Sequence, residues 1–347
     1  MIHAMVMAGG KGSRLWPMSR SNRPKQFLNF LDGKTLLSHT LDRISPLIPD
    51  QQQWLLANYQ HKTLLEPFMS RLANKHCLLE PIERNTAACI GWAAIKVIQE
   101  DPNATMVVLP ADHWITPAAD FRHIIQLAID FVNSNHAFVT IGIKPSSAHT
   151  GYGYINSSFD NSSVLKVLSF TEKPDKETAE SYIKQGTYFW NSGIFIWKAK
   201  HILTAIKTHL PDLFEGLKQL ETISYDDFDS IKSVYESLPK TSIDYGIMEK
   251  EVKSTYMIPA NFEWNDIGSW CSLDNIWEHD NNQNAIHAQS KILDSSKNII
   301  YSEQRLISLI DVHNMIIIDS NDSLLIAPKT SAQKIKQFYD QLPKKYQ

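Results

Sequence analysis

Cysteine is scarce in this chain. Cys77, Cys89 and Cys271 are the three it has. Their number is odd, their spacing is wide and no CxxC pair occurs. That pattern excludes a disulfide framework or a zinc ribbon and predicts reduced core thiols in a cytoplasmic protein. Excess charge is also small: 34 basic against 37 acidic residues give a net charge of −3. The chain therefore has no electrostatic footprint for nucleic acid or a membrane surface, and any anion it binds must be held locally. No apolar run approaches membrane-spanning length. The N-terminus enters a strand without the basic region, apolar segment or cleavage site of a signal peptide. No low-complexity tract or long-period repeat stands out. What is present is ordinary for a globular protein, 43% hydrophobic and 20% charged over 347 residues. That is enough for one large domain and a smaller one.

The most informative stretch is 5–30. Residues 5–8 are a short apolar run that reads as a buried strand. Gly9, Gly10 and Gly12 follow, with Ser13 and Arg14 next and Lys25 shortly after. Glycine reaches positive φ without strain and lets backbone amides approach an anion closely. A strand, a glycine loop and two cations suggest a polyphosphate seat. It is not a P-loop, since GxxxxGK[ST] is missing. It is not the dinucleotide fingerprint either, since Leu15 stands where GxGxxG needs its third glycine. The competing interpretation is a turn with incidental charge.

Farther along, the spacing predicts helices over 35–44, 66–72, 87–100 and 121–132. Strands are predicted at 54–57, 76–79, 105–109 and 137–141. Alternating strands and helices argue for a mainly parallel, doubly wound sheet, in which ligands sit past the strand C-termini. The glycine loop, Glu80 and Asp112 all follow a strand and so share that rim. After residue 143 the pattern changes. Residues 151–155 and 164–170 read as antiparallel strands and 176–185 as a helix. Residues 188–197 read as an aromatic strand broken at Asn191-Ser192-Gly193, and 199–240 as mostly helical. A helix is expected to run to about 280, where the polar run 280–284 marks a boundary. The expected domains are 1–283 and 284–347, the second a small all-β module of short strands at 291–327 closed by a helix at 331–341.

Phosphoryl or nucleotidyl chemistry needs charge neutralisation, and magnesium takes one or two carboxylates and keeps several waters. Asp112, in Leu-Pro-Ala-Asp-His, and Asp266, in Trp-Asn-Asp-Ile-Gly, are the acids to consider. Either also suits an ordinary turn or helix cap. Glu172 and Asn191 can hold sugar hydroxyls and Lys173 a sugar phosphate. They also read as a surface ion pair and a β-bulge.

Together these motifs resemble the sugar-1-phosphate nucleotidyltransferases. The loop from Gly9 through Arg14, Leu15-Trp16-Pro17 and Pro24-Lys25-Gln26-Phe27 is similar to the mannose-1-phosphate guanylyltransferase branch. So are Glu80-Pro81, Arg84-Asn85-Thr86-Ala87, Pro110-Ala111-Asp112-His113, Gly151-Tyr152-Gly153-Tyr154, Phe170-Thr171-Glu172-Lys173-Pro174, Trp190-Asn191-Ser192-Gly193, 242–250 and 264–270. Ala88 departs from the proline usual there. The resemblance implies an α/β fold, a Rossmann-like doubly wound mixed sheet of the nucleotide-diphospho-sugar transferase type with a small C-terminal β module. It implies the short form without an isomerase domain, and a homodimer. It implies GTP and mannose 1-phosphate as partners, Mg²⁺ as cofactor, and GDP-mannose and pyrophosphate as products of direct in-line attack. Arg14, Lys25 and Asp112 would be catalytic. Gly9, Gly10, Gly12, Ser13, Glu80, Asn85 and Thr86 would hold the nucleotide, with Glu80 reading guanine. Gly153, Glu172, Lys173 and Asn191 would hold the sugar phosphate, and Asp112 and Asp266 the metal. Alternatives are a nucleotidyltransferase for another sugar 1-phosphate and a silent regulatory relative. The intact set Arg14, Lys25, Asp112 and Asp266 disfavours the latter.

Overall fold

A computed structural model describes residues 1–347 apart from Lys11, Asn74, Phe159, Asn161 and Asp226. Lys11, inside the glycine loop, thus lies outside the described residues. The chain divides into two compact units. One comprises Met1–Gly9, Thr40–Ala111 and Ile115–Trp264; the other comprises Gly10–His39, Asp112–Trp114 and Asn265–Gln347. No helix among the described residues is long and apolar enough to cross a membrane.

In chain order the strands of the longer part are β1 (Ile2–Met7), β2 (Gln53–Asn58), β3 (Cys77–Glu80), β4 (Thr105–Pro110), β5 (Trp114–Thr116), β6 (Phe138–Ile143), β7 (Tyr154–Ser157), β8 (Leu165–Thr171), β9 (Tyr188–Lys198), β10 (Thr255–Pro259) and β11 (Glu263–Asn265). The helices are α1 (Leu36–Ile44), α2 (Lys62–Met69), α3 (Thr86–Glu100), α4 (Ala118–Ser134), α5 (Lys176–Gln185), α6 (Ala199–His209), α7 (Pro211–Gln219), α8 (Phe228–Ser237), α9 (Trp270–Asp274) and α10 (Lys334–Tyr339).

The first unit is built on a nine-stranded sheet of order β3-β2-β1-β4-β9-β6-β10-β8-β7. Strands β3, β2, β1 and β4 are parallel, β9 runs antiparallel between β4 and β6, and β10 is parallel to β6. The sheet is mixed and doubly wound, as expected. Its central strands read as continuous apolar runs because both faces are covered. Alternation along β4 shows this directly. Met106 and Val108 join the core under α3, α6 and α7, while Val107 and Leu109 join the core under α4. Met7 pairs with Pro110 and Asn58 with Glu80, so the parallel strands end level.

Two expectations need correction here, and one strand was not anticipated. Strand β9 is unbroken at Asn191-Ser192-Gly193; instead its register against β6 shifts between Thr140 and Gly142, and Gly193 absorbs the irregularity at φ 71°. Strand β10, in a stretch that carries no expectation from the sequence, pairs with β6 and β8. The helix after Trp270 stops at Asp274 rather than near 280. Within the second unit the Trp277 indole donates to Phe30 O at 2.8 Å, drawing the chain off the helix line.

The second unit carries β12 (Ala285–His287), β13 (Ser290–Leu293), β14 (Ile299–Ser302), β15 (Ile307–Ile310), β16 (Met315–Asp319) and β17 (Leu324–Pro328). The expected all-β module is there, but its pairing is parallel. Strands β12, β14 and β16 stack in one ladder and β13 and β15 in another; β17 closes antiparallel to β16. Ile299 pairs with Ile316 and Ser290 with Ile307, a step of 17 residues. The chain therefore has a repeat that its sequence does not advertise. Buried asparagines knit the coil: Asn298 donates to Asn284 Oδ1 at 2.9 Å, and Met315 N donates to Asn298 Oδ1 at 2.9 Å. The terminal helix is α10, shorter than 331–341. Leu15, Trp16, Leu28 and Phe30 pack with Trp270, Ile299 and Ile316 in one core, so the segment carrying the glycine loop belongs to the same unit as the coil.

Candidate active site

In the second unit the loop turns on two left-handed glycines, Gly10 at φ 92° and Gly12 at φ 61°. A Cβ on Gly12 would lie 2.6 Å from Lys25 Cβ and 2.9 Å from Ser19 Oγ, so no larger residue fits. Ser13, Arg14 and Leu15 form a single tight turn anchored by buried Leu15. Arg14 is half-exposed on it, and no hydrogen bond or ion pair engages Arg14 among the described residues. A second tight turn, Lys25–Phe27, buries all three of its side chains.

Lys25 is the centre of this cluster. Its Nζ meets Asp112 Oδ2 at 2.7 Å and donates to Asp266 O at 2.5 Å. Burial alone would raise the Asp112 carboxyl, but the Lys25 ammonium, with His113 beside it, outweighs that and holds it below the usual range. Asp266 Oδ1 accepts from Gly268 N at 3.1 Å. Between them Ile267 is fully buried at φ 43°, a rare backbone state for a β-branched residue, costing about 1–3 kcal/mol. Asn265 Oδ1 pins it by accepting from Ile267 N at 2.8 Å. The turn role open to Asp266 in the sequence is thus real, and a strained residue sits beside it.

Asp112 and Asp266 are the acids of this cluster that could hold a magnesium ion. Among the described residues no three His, Cys, Asp or Glu side chains gather to cage a metal. Magnesium needs only one or two carboxylates, with water and substrate oxygens completing its shell. The Asp112 side chain is 25% exposed, so its carboxylate is not sealed off by Lys25.

In the first unit, β7, β8 and β9 bring a second cluster together. Tyr154 pairs with both Thr171 and Trp190, which sets Gly153, Glu172 and Asn191 side by side. Asn191 N donates to Gly153 O at 2.8 Å. A Cβ on Gly153 would sit 2.4 Å from Glu172 Oε2, so this glycine makes room for the carboxylate. Lys173, at φ 48°, turns back to bond Glu172 Oε1 at 2.6 Å, and Glu172 N donates to Glu249 Oε1 at 3.1 Å. The ion pair expected of Glu172 and Lys173 is present, on a side chain only 9% exposed in the case of Glu172. Asn191 Nδ2 donates to Asp244 Oδ1 at 2.9 Å. Burial first, and Glu172 second, push the Asp244 carboxyl up to about 7. Tyr152 packs edge-on against both Trp190 and Trp264, with centroids 5.0 and 5.4 Å apart.

Glu80, Asn85 and Thr86 lie in the same unit. Asn85, at φ 66°, caps α3 by accepting from Thr86 N at 2.9 Å. Thr86 Oγ1 accepts from Ile243 N at 2.8 Å, so the start of α3 is tied to the residue before Asp244. Glu80 ends β3 close to Tyr235 and Cys89. No hydrogen bond of good geometry joins it to the Tyr235 hydroxyl, and its Oε1 is buried without a partner among the described residues. Burial first, then Glu83, push this carboxyl up to about 8.

The structure therefore brings Gly12, Lys25, Asp112 and Asp266 together in one unit, with Gly10, Ser13 and Arg14 along the same loop. It gathers Gly153, Glu172, Lys173 and Asn191 in the other. Gly9 lies just after β1, with open space where a Cβ would be. Asp244 and Glu249 are the residues that sequence reasoning passed over. Both sit in the 242–250 stretch, and only the fold shows that they face Glu172.

A nucleotidyl transferase family model matches residues 3–283, and a model of the mannose-phosphate isomerase/GMP-like β-helix domain matches 291–342. Similar proteins include mannose-1-phosphate guanylyltransferase from Salmonella muenchen, 37% identical over 97% of this chain and 72% of that protein. Mannose-1-phosphate guanylyltransferase 2 from Escherichia coli O157:H7 is 36% identical over 98% and 73%. Among solved structures, a Thermus thermophilus protein described as a mannose-1-phosphate geranyltransferase superposes with a TM-score of 0.90, at 30% identity over 98% of both chains.

Proposed function

The chain belongs to the mannose-1-phosphate guanylyltransferase family of nucleotidyl transferases, and from that premise we propose that it transfers GMP from GTP to α-D-mannose 1-phosphate, giving GDP-mannose and pyrophosphate. The observation that carries this reading is Lys25, buried and bound to both Asp112 and Asp266 beside a glycine turn. A phosphate oxygen of the sugar phosphate attacks the α-phosphorus of GTP, the bond to the β-phosphate oxygen breaks, and pyrophosphate leaves in line. No covalent enzyme intermediate is needed, so catalysis is positioning plus electrostatics.

Backbone amides at Gly9, Gly10, Gly12 and Ser13 cradle the triphosphate. Arg14, with no protein partner among the described residues, takes the β,γ-phosphates and the departing pyrophosphate. Lys25 takes the α-phosphate or the attacking phosphate. Asp112 and Asp266 would hold Mg²⁺, which neutralises charge on the phosphates when bound. Glu172, Lys173, Gly153 and Asn191 form the sugar-phosphate side. Glu80, backed by Asn85 and Thr86, reads guanine, whose two N–H donors suit its unpartnered buried oxygen.

The experiment is pyrophosphate release over a panel of sugar 1-phosphates and nucleoside triphosphates. Release is expected to be strongest with GTP and mannose 1-phosphate. Strong release from another pair with little from this one would overturn the reading. In the same assay Arg14→Ala should mainly lower kcat and weaken GTP, while Asn191→Ala should mainly raise KM for the sugar phosphate.

A further inference from the structure

Three acids crowd the sugar-side cluster, and they are not equivalent. Glu172 has Lys173 Nζ at 2.6 Å. Glu249 accepts the Glu172 backbone N–H at 3.1 Å. Asp244 accepts from the Asn191 amide, on Oδ1, at 2.9 Å, and from its own backbone N–H. No other side chain among the described residues bonds it, and Lys173 is already committed to Glu172. Asp244 is only partly buried, so its carboxylate keeps acceptor capacity that no side chain among the described residues takes up and that a ligand hydroxyl can use.

The placement of that carboxylate is over-determined. Asn191 Oδ1 accepts from Gly193 N at 3.2 Å, which fixes the amide with its NH₂ towards Asp244. The chain on the other side is pinned as well. Ile243 N donates to Thr86 Oγ1 at 2.8 Å, Ala87 N to Thr241 O at 3.2 Å and Tyr245 N to Ser242 Oγ at 3.2 Å. A wide helical turn, Asp244–Met248, then carries the backbone away, its Gly246, Ile247 and Met248 buried. A carboxylate aimed from both sides and left half-paired is what a site needs to accept from a hydroxyl of fixed position.

We propose that Asp244 is a specificity-determining residue that accepts a hydrogen bond from one ring hydroxyl of the sugar 1-phosphate, and that Asn191 is the positioning residue that aims it. This rests on the nucleotidyl-transfer reading above and deepens it: Asn191 acts on the sugar through Asp244. A site built to bond a hydroxyl rejects the analogue lacking it strongly, because its own polar group is then left unpaired.

The test compares kcat/KM for mannose 1-phosphate and its 2-, 3-, 4- and 6-deoxy analogues in the wild type, Asp244→Asn, Asp244→Ala and Asn191→Ala, with GTP saturating. The wild type should lose about 10- to 100-fold on one deoxy analogue in particular, the range for a hydrogen bond to a charged group. In Asp244→Ala, mannose 1-phosphate should fall by a similar factor, and its advantage over that one analogue should collapse to about two-fold. Asn191→Ala should lose the same discrimination in part. KM for GTP should stay within about two-fold throughout. Asp244→Asn keeps the side-chain volume and serves if the alanine variant does not fold, as judged by its melting temperature. Full wild-type discrimination in the Asp244 variants overturns the proposal. So does a fall shared equally by all five sugars, which a merely structural role would give. Absence of pyrophosphate release from wild type with GTP and mannose 1-phosphate is a separate failure: it removes the parent reading, and this one with it.

Discussion

The two polar clusters of this protein handle charge in opposite ways. In the second unit Lys25 neutralises Asp112 in place, and the carboxyl is held below its usual range. In the first unit Asp244 and Glu80 lack a cation of their own, and both are pushed up, to about 7 and about 8. The difference follows from what each would meet. A triphosphate brings negative charge, so its seat must present cations already fixed and acids already paired. A sugar ring or a guanine edge brings neutral N–H and O–H donors, and those suit acceptors left open. The first cluster is set before its ligand arrives; the second would be completed by it.

The largest test of this contrast is Lys25→Met. Removing the ammonium leaves Asp112 with only His113 near it as a basic partner among the described residues, and the reacting phosphates without their fixed charge. Pyrophosphate release should fall by about 10³-fold or more, and melting should show a stability loss of about 3–5 kcal/mol. A modest loss of rate, with stability unchanged, would mean that the two clusters do not differ as described.

The next effect is confined to the other side. Gly153→Ala places a methyl 2.4 Å from Glu172 Oε2, and the carboxylate must move. KM for mannose 1-phosphate should rise by about ten-fold or more, the scale of one charge-assisted hydrogen bond, with KM for GTP unchanged. Initial rates against each substrate decide this, and an equal rise in both would merge the clusters into one.

The smallest effect is on stability against pH. Glu80 ionises near its ordinary 4.5 when unfolded and near 8 when folded. Between those values the unfolded chain binds fewer protons, so this group's contribution falls as pH rises. Asp244 acts in the same direction up to about 7. Asp112, held low, acts oppositely: its contribution is present at neutral pH and fades only as acid drives pH down through its folded pKa. Melting temperature without ligand should decline between about pH 5 and 8, and Glu80→Gln should flatten that slope by a few degrees. A slope identical in the variant would remove Glu80 from the account.

Much of this was legible in the chain. The strand and helix alternation up to residue 143, the glycine loop and the motif acids could all be read, because burial on both faces and tight turns leave local signatures. The coil at 285–328 was legible only as short strands. The 17-residue step does repeat Asp294 at Asp311, both left-handed at φ 48° and 59°, and Ile299-Ile300 at Ile316-Ile317, but so few matches over so short a stretch do not announce a coil. Asp244 was invisible for a different reason. Its stretch, 242–250, was legible as a motif, but nothing local says that β8 and β9 will set Glu172 and Asn191 against it.

By itself, then, the sequence determined the mixed α/β class, the positions of the glycine loop and the motif residues, and the family they point to, because each depends on neighbours a few positions away. Only the tertiary structure decided which charges meet. Lys25 finds Asp112 and Asp266, while Glu172 takes Lys173 and leaves Asp244 open. Most of those pairings span tens to hundreds of residues, and sheet register and core packing set them, not spacing along the chain.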